Sequence, residues 1–346
     1  MTTPQRNVQQ FVDTFTRLRA ELQRVIVGHD EHLEQILVAF FAGGHVLIEG
    51  LPGTGKTLIV RSLGELLNLK FARVQFTIDL MPADITGTRI LVEENGQRTF
   101  RFQPGPLFTH VLLADEINRA TPKTQSALLE AMAELQVTVA GHSYPLPRPF
   151  FVLATLNPIE MEGTYPLPEA QLDRFLFKVV LRYPSHDELR RILASTTGAN
   201  VPSLKPLFAP EEAAAEVERL RALVREVITA PQVEAYAAAL VRATIPASSK
   251  FVPLGDAPLP PDEAINRYVS FGASPRGGQA LLLGAKVRAL LEGRVHVTYE
   301  DIDAVAVPAL SHRLVVNFAA LADGVEPRSL IEGILQRARR LHERGN

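Results

Sequence analysis

The sequence predicts an α/β domain built on a five-stranded parallel sheet with helices on both faces, followed by a C-terminal all-α domain. From about Val46, short apolar segments of strand length alternate with helical segments, which is typical of a parallel sheet buried on both faces. After Tyr183-Pro184 the strand pattern stops and Ala- and Leu-rich helical segments follow. A chain of 346 residues, 46% of them apolar, has room for both domains. We therefore predict domains at 1–184 and 185–346.

The predicted elements begin with an amphipathic helix at Phe11–Val27. The five predicted strands are Val46–Glu49, Ala72–Phe76, His110–Asp115, Phe150–Thr155 and Lys178–Leu181. Helices are predicted at Thr124–Glu134, Glu169–Leu176, Glu211–Ile228, Val233–Thr244, Gly278–Leu291 and Tyr299–Leu314. Two segments interrupt the alternation, near 87–106 with an Asn95-Gly96 turn and near 137–147 around Ala140-Gly141. Both are predicted to be inserted hairpins.

The composition restricts the classes of function. The chain has no cysteine, which excludes disulfides and thiolate metal sites, and a reducing cytoplasm is the expected location. Its longest apolar stretch, Ile36–Ile48, is too short to cross a bilayer, so we expect no membrane insertion. A net charge of -2 gives no reason to expect nucleic acid.

A phosphate-binding loop follows the first strand. The pattern G-x-x-x-x-G-K-T stands between the strand Val46–Glu49 and a predicted helix starting at Leu58, which is the setting that this loop requires. Its residues are Gly50, Leu51, Pro52, Gly53, Thr54, Gly55, Lys56 and Thr57. Glycines let the backbone N–H groups face the phosphates of ATP or ADP at a helix N-terminus. Lys56 is then expected to reach the β- and γ-phosphates, and the Thr57 hydroxyl to bind Mg²⁺.

Polar residues end the next two buried strands. Asp115 and Glu116 follow the apolar run Val111–Ala114, and Asn157 follows Phe150–Thr155. Ligands of open α/β sheets bind at the carboxyl ends of the strands. Asp115 therefore suits Mg²⁺ coordination, and Glu116 suits the general base that activates a water molecule. Asn157 can donate to a γ-phosphate without adding charge.

Two arginines complete the predicted site. Arg174 closes a short predicted helix before the last strand, and Arg276 begins a helix of the second domain. Phosphoryl transfer develops negative charge that a guanidinium stabilises, often one supplied by another subunit.

With these residues the chain resembles the MoxR family of AAA+ ATPases, in the clade with an insert in helix 2 and a hairpin before the first sensor. The matching stretches are Val27-Gly28, Gln75–Thr77, Asp84–Gly87, Gly105-Pro106, Ala114–Ala120, Gln125–Met132, Ala154-Thr155, Asn157-Pro158, Gly163–Phe175, Ser274–Arg276 and Glu292–Arg294. The match is dense over Val25–Lys178 and looser over Gly272–Arg313. Ile78 and Leu156 depart from the residues usual in the family, at positions without a proposed catalytic role.

The resemblance implies a role for each of the residues singled out above. Gly50–Thr57 becomes Walker A, Asp115 and Glu116 become Walker B, and Val27, Gly28 and Leu58 join the nucleotide site. It further implies sensor 1 at Asn157, an arginine finger at Arg174 and sensor 2 at Arg276.

The resemblance also implies a function. The family expectation is a homo-oligomeric ring, a hexamer, that hydrolyses Mg-ATP to remodel or mature a client protein, with a von Willebrand factor A domain protein as partner. Two alternatives stay open. A nucleic-acid motor would require basic residues in Ile159–Pro168 and the two hairpins, where few occur. A nucleotide-gated scaffold without turnover would not need Glu116, Asn157 and Arg174 together.

Overall fold

The computed structural model describes residues 3–94, 97–157, 164–197, 203–250 and 258–345. Backbone contacts divide the chain into two compact units. The sheet unit comprises Thr14–Leu167 and Val179–Leu220, and the helical unit comprises Met1–Asp13, Pro168–Lys178 and Arg221–Asn346. The domain boundary at 184/185 stays a prediction.

The central sheet has five parallel strands, which confirms the predicted fold class. The strands of the chain are β1 Val46–Gly50, β2 Phe71–Gln75, β3 Gly87–Glu94, β4 Gln97–Pro104, β5 Val111–Asp115, β6 Gln136–Val139, β7 His142–Pro145, β8 Phe151–Leu156, β9 Phe177–Leu181, β10 Val269–Phe271 and β11 Val315–Val316. The sheet order is β2-β5-β8-β1-β9. All five residues of β5 are buried, because helices cover both faces of a parallel sheet. Each of the five predicted strands agrees with the structure to within one residue.

Helices make up most of the remaining structure. They are α1 Thr3–Val25, α2 Asp30–Phe41, α3 Lys56–Leu66, α4 Pro82–Thr86, α5 Pro122–Glu134, α6 Glu169–Leu172, α7 His186–Thr197, α8 Ala213–Glu226, α9 Pro231–Ala243, α10 Glu263–Tyr268, α11 Pro275–Leu291, α12 Tyr299–Leu310, α13 Phe318–Ala322 and α14 Pro327–Gly345. In the described parts of the chain, no helix combines the length and the apolar character needed to cross a membrane.

Two predicted helices end clearly earlier than expected. The prediction Tyr299–Leu314 is wrong beyond Leu310, where α12 ends. The prediction Glu169–Leu176 is wrong beyond Leu172, where α6 ends. The carbonyl groups of Asp173, Phe175 and Leu176 accept hydrogen bonds from the Arg313 side chain instead of from a continuing helix. A long-range side chain has therefore replaced the local hydrogen bonds that the sequence pattern indicates.

Two antiparallel hairpins occupy the segments where insertions are predicted. Strands β3 and β4 pair from Gly87 opposite Pro104 to Glu94 opposite Gln97, and β6 pairs with β7. The predicted Asn95-Gly96 turn lies outside the described residues. At the base of the first hairpin the backbones touch, since a Cβ on Gly105 would lie 2.4 Å from the Ile85 carbonyl oxygen. Only glycine fits at that crossing.

The helical unit contains one feature that the all-α prediction missed. Strands β10 and β11 form a short antiparallel pair, too short to produce a recognisable alternation of apolar and polar residues. Within the described part of this unit, α11 packs against α12 and α9. A Cβ on Gly284 of α11 would lie 2.7 Å from the Phe177 ring, so glycine permits that close packing.

Candidate functional site

The phosphate loop joins β1 to α3 in the sheet unit. Gly53 and Gly55 have φ of +79° and +85°, and no atom lies within 4 Å of the position of a Cβ on either residue. The Thr54 hydroxyl donates to the Leu51 carbonyl at 2.8 Å and tightens the turn. Both glycines adopt the left-handed conformation that favours glycine, and the loop ends at the N-terminus of α3, where the first N–H groups have no partner within the helix. These features fit a bound phosphate chain.

Lys56 is the buried cation of this loop. Its side chain is 8% exposed, and its Nζ donates to the Gly50 carbonyl at 2.7 Å. Burial lowers the pKa of Lys56, while the charges of Asp115 and Glu116 act in the opposite direction. The structure therefore places the loop lysine close enough to both acids to be influenced by their charge.

Both carboxylate oxygens of Asp115 are hydrogen-bonded. Arg73 on β2 donates to Oδ2 through Nη2 at 2.8 Å and Nε at 3.2 Å. The buried Thr155 hydroxyl donates to Oδ1 at 2.6 Å. These hydrogen bonds from both sides hold the Asp115 carboxylate in a fixed orientation.

Glu116 is held at both its backbone and its side chain. Its φ of +56° is uncommon for a residue with a side chain. The Glu116 N–H donates to the Thr155 hydroxyl at 2.8 Å. Its Oε2 accepts from Gln75 Nε2 at 2.8 Å and from Arg119 Nη1 at 3.0 Å. The same threonine thus orients both acids.

Asn157 follows β8, the strand between β5 and β1 in the sheet. Its side chain is 3% exposed. Three adjacent parallel strands therefore lead into the predicted site. The phosphate loop follows β1, the two acids lie at the end of β5 and Asn157 follows β8, as their positions in the sequence predict. The structure brings these residues to one edge of the sheet.

Val27 and Gly28 lead into a residue next to the phosphate loop. His29 is buried, and a hydrogen bond to the backbone of Thr54 links it to the loop. Burial lowers the pKa of His29 despite that hydrogen bond. Gly28 has φ +83°, and a Cβ there would lie 2.7 Å from the Glu188 carboxyl carbon. The Glu188 side chain is flexible and can move, so it is the positive φ that favours glycine at position 28.

The two predicted arginines belong to the helical unit. Arg174 follows α6, is partly exposed, and donates its backbone N–H to the Gln171 carbonyl at 3.2 Å. Arg276 lies in the first turn of α11, directly after the helix cap Ser274 and Pro275. Its Nη1 is 3.8 Å from Asp173 Oδ2, so one carboxylate lies beside both candidates.

Several site residues were missed by the sequence analysis. Those that contact predicted site residues are Arg73, Gln75, Arg119, Thr155, His29 and Asp173. The sequence feature that could have identified Arg73 and Gln75 is their spacing of two residues on β2. Gln75 lies directly opposite Asp115 in the pairing of β2 with β5. Using that feature requires the strand order, because β2 and β5 are separated by 35 residues of sequence.

Within the described ranges, no group of three or more His, Asp or Glu side chains could hold a metal ion by itself. Magnesium prefers oxygen ligands, and it usually takes one or two from the protein and the rest from phosphates and water. The Thr57 hydroxyl and the Asp115 carboxylate supply this kind of donor set beside the phosphate loop.

A phosphate loop after β1, acids after β5 and a helical lid define a AAA+ P-loop NTPase. Residues 45–177 match the sequence model of the ATPase family associated with various cellular activities (AAA), and residues 262–334 match the AAA lid domain. A crystal structure of a proposed ATPase from Cytophaga hutchinsonii superimposes with a TM-score of 0.83 at 36% identity, covering 96% of each chain.

Similarity to individual proteins identifies the family within the AAA+ ATPases. Chaperone MoxR1 of Mycobacterium tuberculosis is 41% identical over 325 residues, which is 94% of this chain and 82% of the relative. The uncharacterised protein YeaC of Bacillus subtilis is 40% identical, covering 91% of each chain. Protein MoxR of Methylorubrum extorquens is 34% identical, covering 87% of this chain and 88% of the relative. The chain belongs to the MoxR family of AAA+ ATPases.

Proposed function

We propose that this protein binds Mg-ATP at Gly50–Thr57 and hydrolyses it. The observation that carries the proposal is the arrangement at one edge of the sheet, where an open phosphate loop adjoins Asp115 and Glu116. Lys56 would contact the β- and γ-phosphates, and Thr57 and Asp115 would hold Mg²⁺. Val27, Gly28 and Leu58 would adjoin the remainder of the nucleotide.

Glu116 would be the base that takes a proton from the attacking water. A base needs a fixed position within hydrogen-bonding distance of that water. The contacts with Thr155, Gln75 and Arg119 supply the fixed position. Asn157, at the end of the neighbouring strand, would donate to the γ-phosphate.

We further propose that the active site is completed in a homo-oligomeric ring, with a hexamer as the family expectation. Each site would take Glu116 from one subunit and the finger Arg174 from the next, and Arg276 would serve as sensor 2. A heterologous contact of this kind closes into a ring. A guanidinium supplied in this way stabilises the charge that develops during phosphoryl transfer.

What the hydrolysis of ATP would drive is proposed from family membership. One relative is named a chaperone, and chaperone-like remodelling or maturation of a client protein, such as insertion of a metal or cofactor, fits ATP-driven ring chemistry. A protein with a von Willebrand factor A domain is the proposed partner.

Mixed rings test the proposal. Glu116→Gln should bind ATP without turnover, because an amide cannot accept the proton of the attacking water. Arg174→Ala should bind ATP normally and turn it over up to about 10³-fold more slowly. After subunit exchange, the mixture should regain activity, because about one interface in four pairs an intact Glu116 with an intact Arg174.

The control is Arg190→Ala, which removes an exposed arginine of α7 and should leave turnover unchanged. A mixture that stays inactive, with exchange shown by native mass spectrometry, would exclude the trans role of Arg174. Wild-type protein that binds ATP but never releases phosphate, alone or with a client, would favour the scaffold.

A further inference from the structure

Arg174 lies in a short segment whose backbone is held from a distance. We call Asp173–Leu176 the strap. The strap carbonyls flanking Arg174 accept hydrogen bonds from one side chain, the guanidinium of Arg313. Arg313 follows α12 in the same helical unit.

Each of the three nitrogen atoms of the Arg313 guanidinium donates a hydrogen bond to the strap. Nη2 donates to the Asp173 carbonyl at 3.1 Å and to the Phe175 carbonyl at 2.7 Å, and Nη1 donates to the Leu176 carbonyl at 3.1 Å. Nε donates to the Asp173 carboxylate at 2.8 Å, and Nη1 also donates to the carbonyl of Ala309. The neighbouring His312 places its Nε2 3.0 Å from the Phe175 carbonyl.

The burial of this contact makes it rigid. The Arg313 side chain is 3% exposed and that of Asp173 is 16% exposed. Burial lowers the pKa of Arg313, and the bond and charge of Asp173 act against that shift. A buried charge that lost these partners would be left without compensation, so the pair has little freedom to separate. The strap is thereby fixed on both sides of Arg174, whose own side chain is partly exposed.

The same carboxylate connects the strap to the helix that carries Arg276. Asp173 Oδ2 accepts from the Ser274 hydroxyl at 2.8 Å, and Ser274 caps α11 by accepting from the Arg276 N–H at 3.1 Å. The strap and the first turn of α11 therefore share one anchor, Asp173.

We propose that Arg313 is a positioning residue for Arg174. Arg313 fixes the position of the strap backbone, from which the Arg174 side chain would extend toward the neighbouring subunit. It does so through several N–H donors in one plane, a donor fork that lysine lacks. This inference rests on the proposed trans role of Arg174.

The test is Arg313→Lys, which keeps the charge and loses the fork. We expect unchanged affinity for Mg-ATP in isothermal titration and a kcat lowered roughly 10- to 100-fold, the size expected when a reacting group is misplaced by about 1 Å. Mixed with Glu116→Gln, Arg313→Lys should regain activity, because Glu116→Gln subunits supply correctly held fingers to sites with an intact Glu116.

The matched control is Arg294→Lys, which breaks a two-bond contact with Asp301 in the same unit without touching the strap. Its kcat should stay near the wild-type value. Should Arg313→Lys fail to fold, Arg313→Gln carries the test, because its neutral side chain leaves no buried charge and also lacks the donor fork, while Asp173 keeps its contact with Ser274.

Three results would overturn the proposal. A kcat for Arg313→Lys within two-fold of the Arg294→Lys value would show that the fork does not matter. Failure of the Arg313→Lys mixture, while Arg174→Ala with Glu116→Gln regains activity, would place Arg313 in its own subunit's site. If both mixtures stay inactive, the trans role of Arg174 has failed and the positioning role fails with it.

Discussion

Asp115 and Glu116 are each bonded to an arginine to which the sequence analysis gave no role. Arg73 donates to Asp115 and Arg119 to Glu116. Sequence positions identified the acids, because two carboxylates after a buried strand are a local signal. Arg73 could not be identified as the partner of Asp115, since a hydrogen bond across strands depends on the strand order. The contact between Arg119 and Glu116 is local in sequence, but it depends on the orientation of both side chains.

Lys56→Ala should abolish tight binding of Mg-ATP. The substitution removes the buried cation that lies on the phosphate loop, and no other side chain of Gly50–Thr57 carries a positive charge. Isothermal titration measures the affinity, with Lys123→Ala on the exposed face of α5 as the control. Equal affinity in both variants would show that the nucleotide binds elsewhere.

Thr155→Val should impair turnover as well as stability. The buried hydroxyl bridges Asp115 and the Glu116 N–H, and leaving buried polar groups unsatisfied costs about 1–3 kcal/mol. The control is Thr124→Val, because Thr124 is equally buried and donates to the Leu80 carbonyl.

Chemical denaturation should show a similar loss of unfolding free energy in the two threonine variants. Only Thr155→Val should also lower kcat. Equal kcat values in the two variants would mean that Thr155 does not orient the acids.

Strands were predicted more accurately than helices. An apolar strand bounded by polar residues has both ends encoded locally, which is why β1, β2, β5, β8 and β9 agree to within one residue. The end of α6 is decided by Arg313, more than 130 residues away, and no local pattern contains that information. The pair β10 and β11 is likewise defined by contacts distant in sequence.

Gly105→Ala should destabilise the base of the first hairpin. The added methyl would lie 2.4 Å from the Ile85 carbonyl oxygen and 2.5 Å from the Gly87 nitrogen, and backbone on both sides cannot move away cheaply. We expect a loss of roughly 1–3 kcal/mol in unfolding free energy.

Gly333→Ala in α14 is the matched control for Gly105→Ala. Its Cβ would meet nothing within 4 Å, and the change should be neutral or stabilise by about 0.5–1 kcal/mol. Thermal melting compares the two variants. A Gly105→Ala protein as stable as wild type would mean that the backbone at Gly105 can move away from that of Ile85 and Gly87.

DNA should neither bind tightly to the intact protein at physiological salt nor stimulate the proposed ATP hydrolysis. The net charge is -2, and much of the affinity for nucleic acid comes from neutralising phosphates with cations. The first hairpin does carry Arg89, Arg98 and Arg101, but Arg98 contacts Glu93 and Arg89 lies over the Phe100 ring.

Fluorescence anisotropy with single-stranded and duplex DNA measures this binding. Submicromolar, salt-sensitive affinity that disappears in Arg89→Ala/Arg101→Ala would support the nucleic-acid motor instead. That result would also place the nucleic acid on the first hairpin.

The contact between Arg73 and Asp115 has a consequence for the order in which ligands arrive. A free divalent cation would have to displace a guanidinium 2.8 Å from the carboxylate, and its only other ligands would be water molecules. A cation already bound to a triphosphate also brings the phosphate chain, which Gly50–Thr57 is proposed to bind. With Asp115 as the proposed ligand, the protein without nucleotide should respond to the concentration of Mg-ATP and not to that of free Mg²⁺.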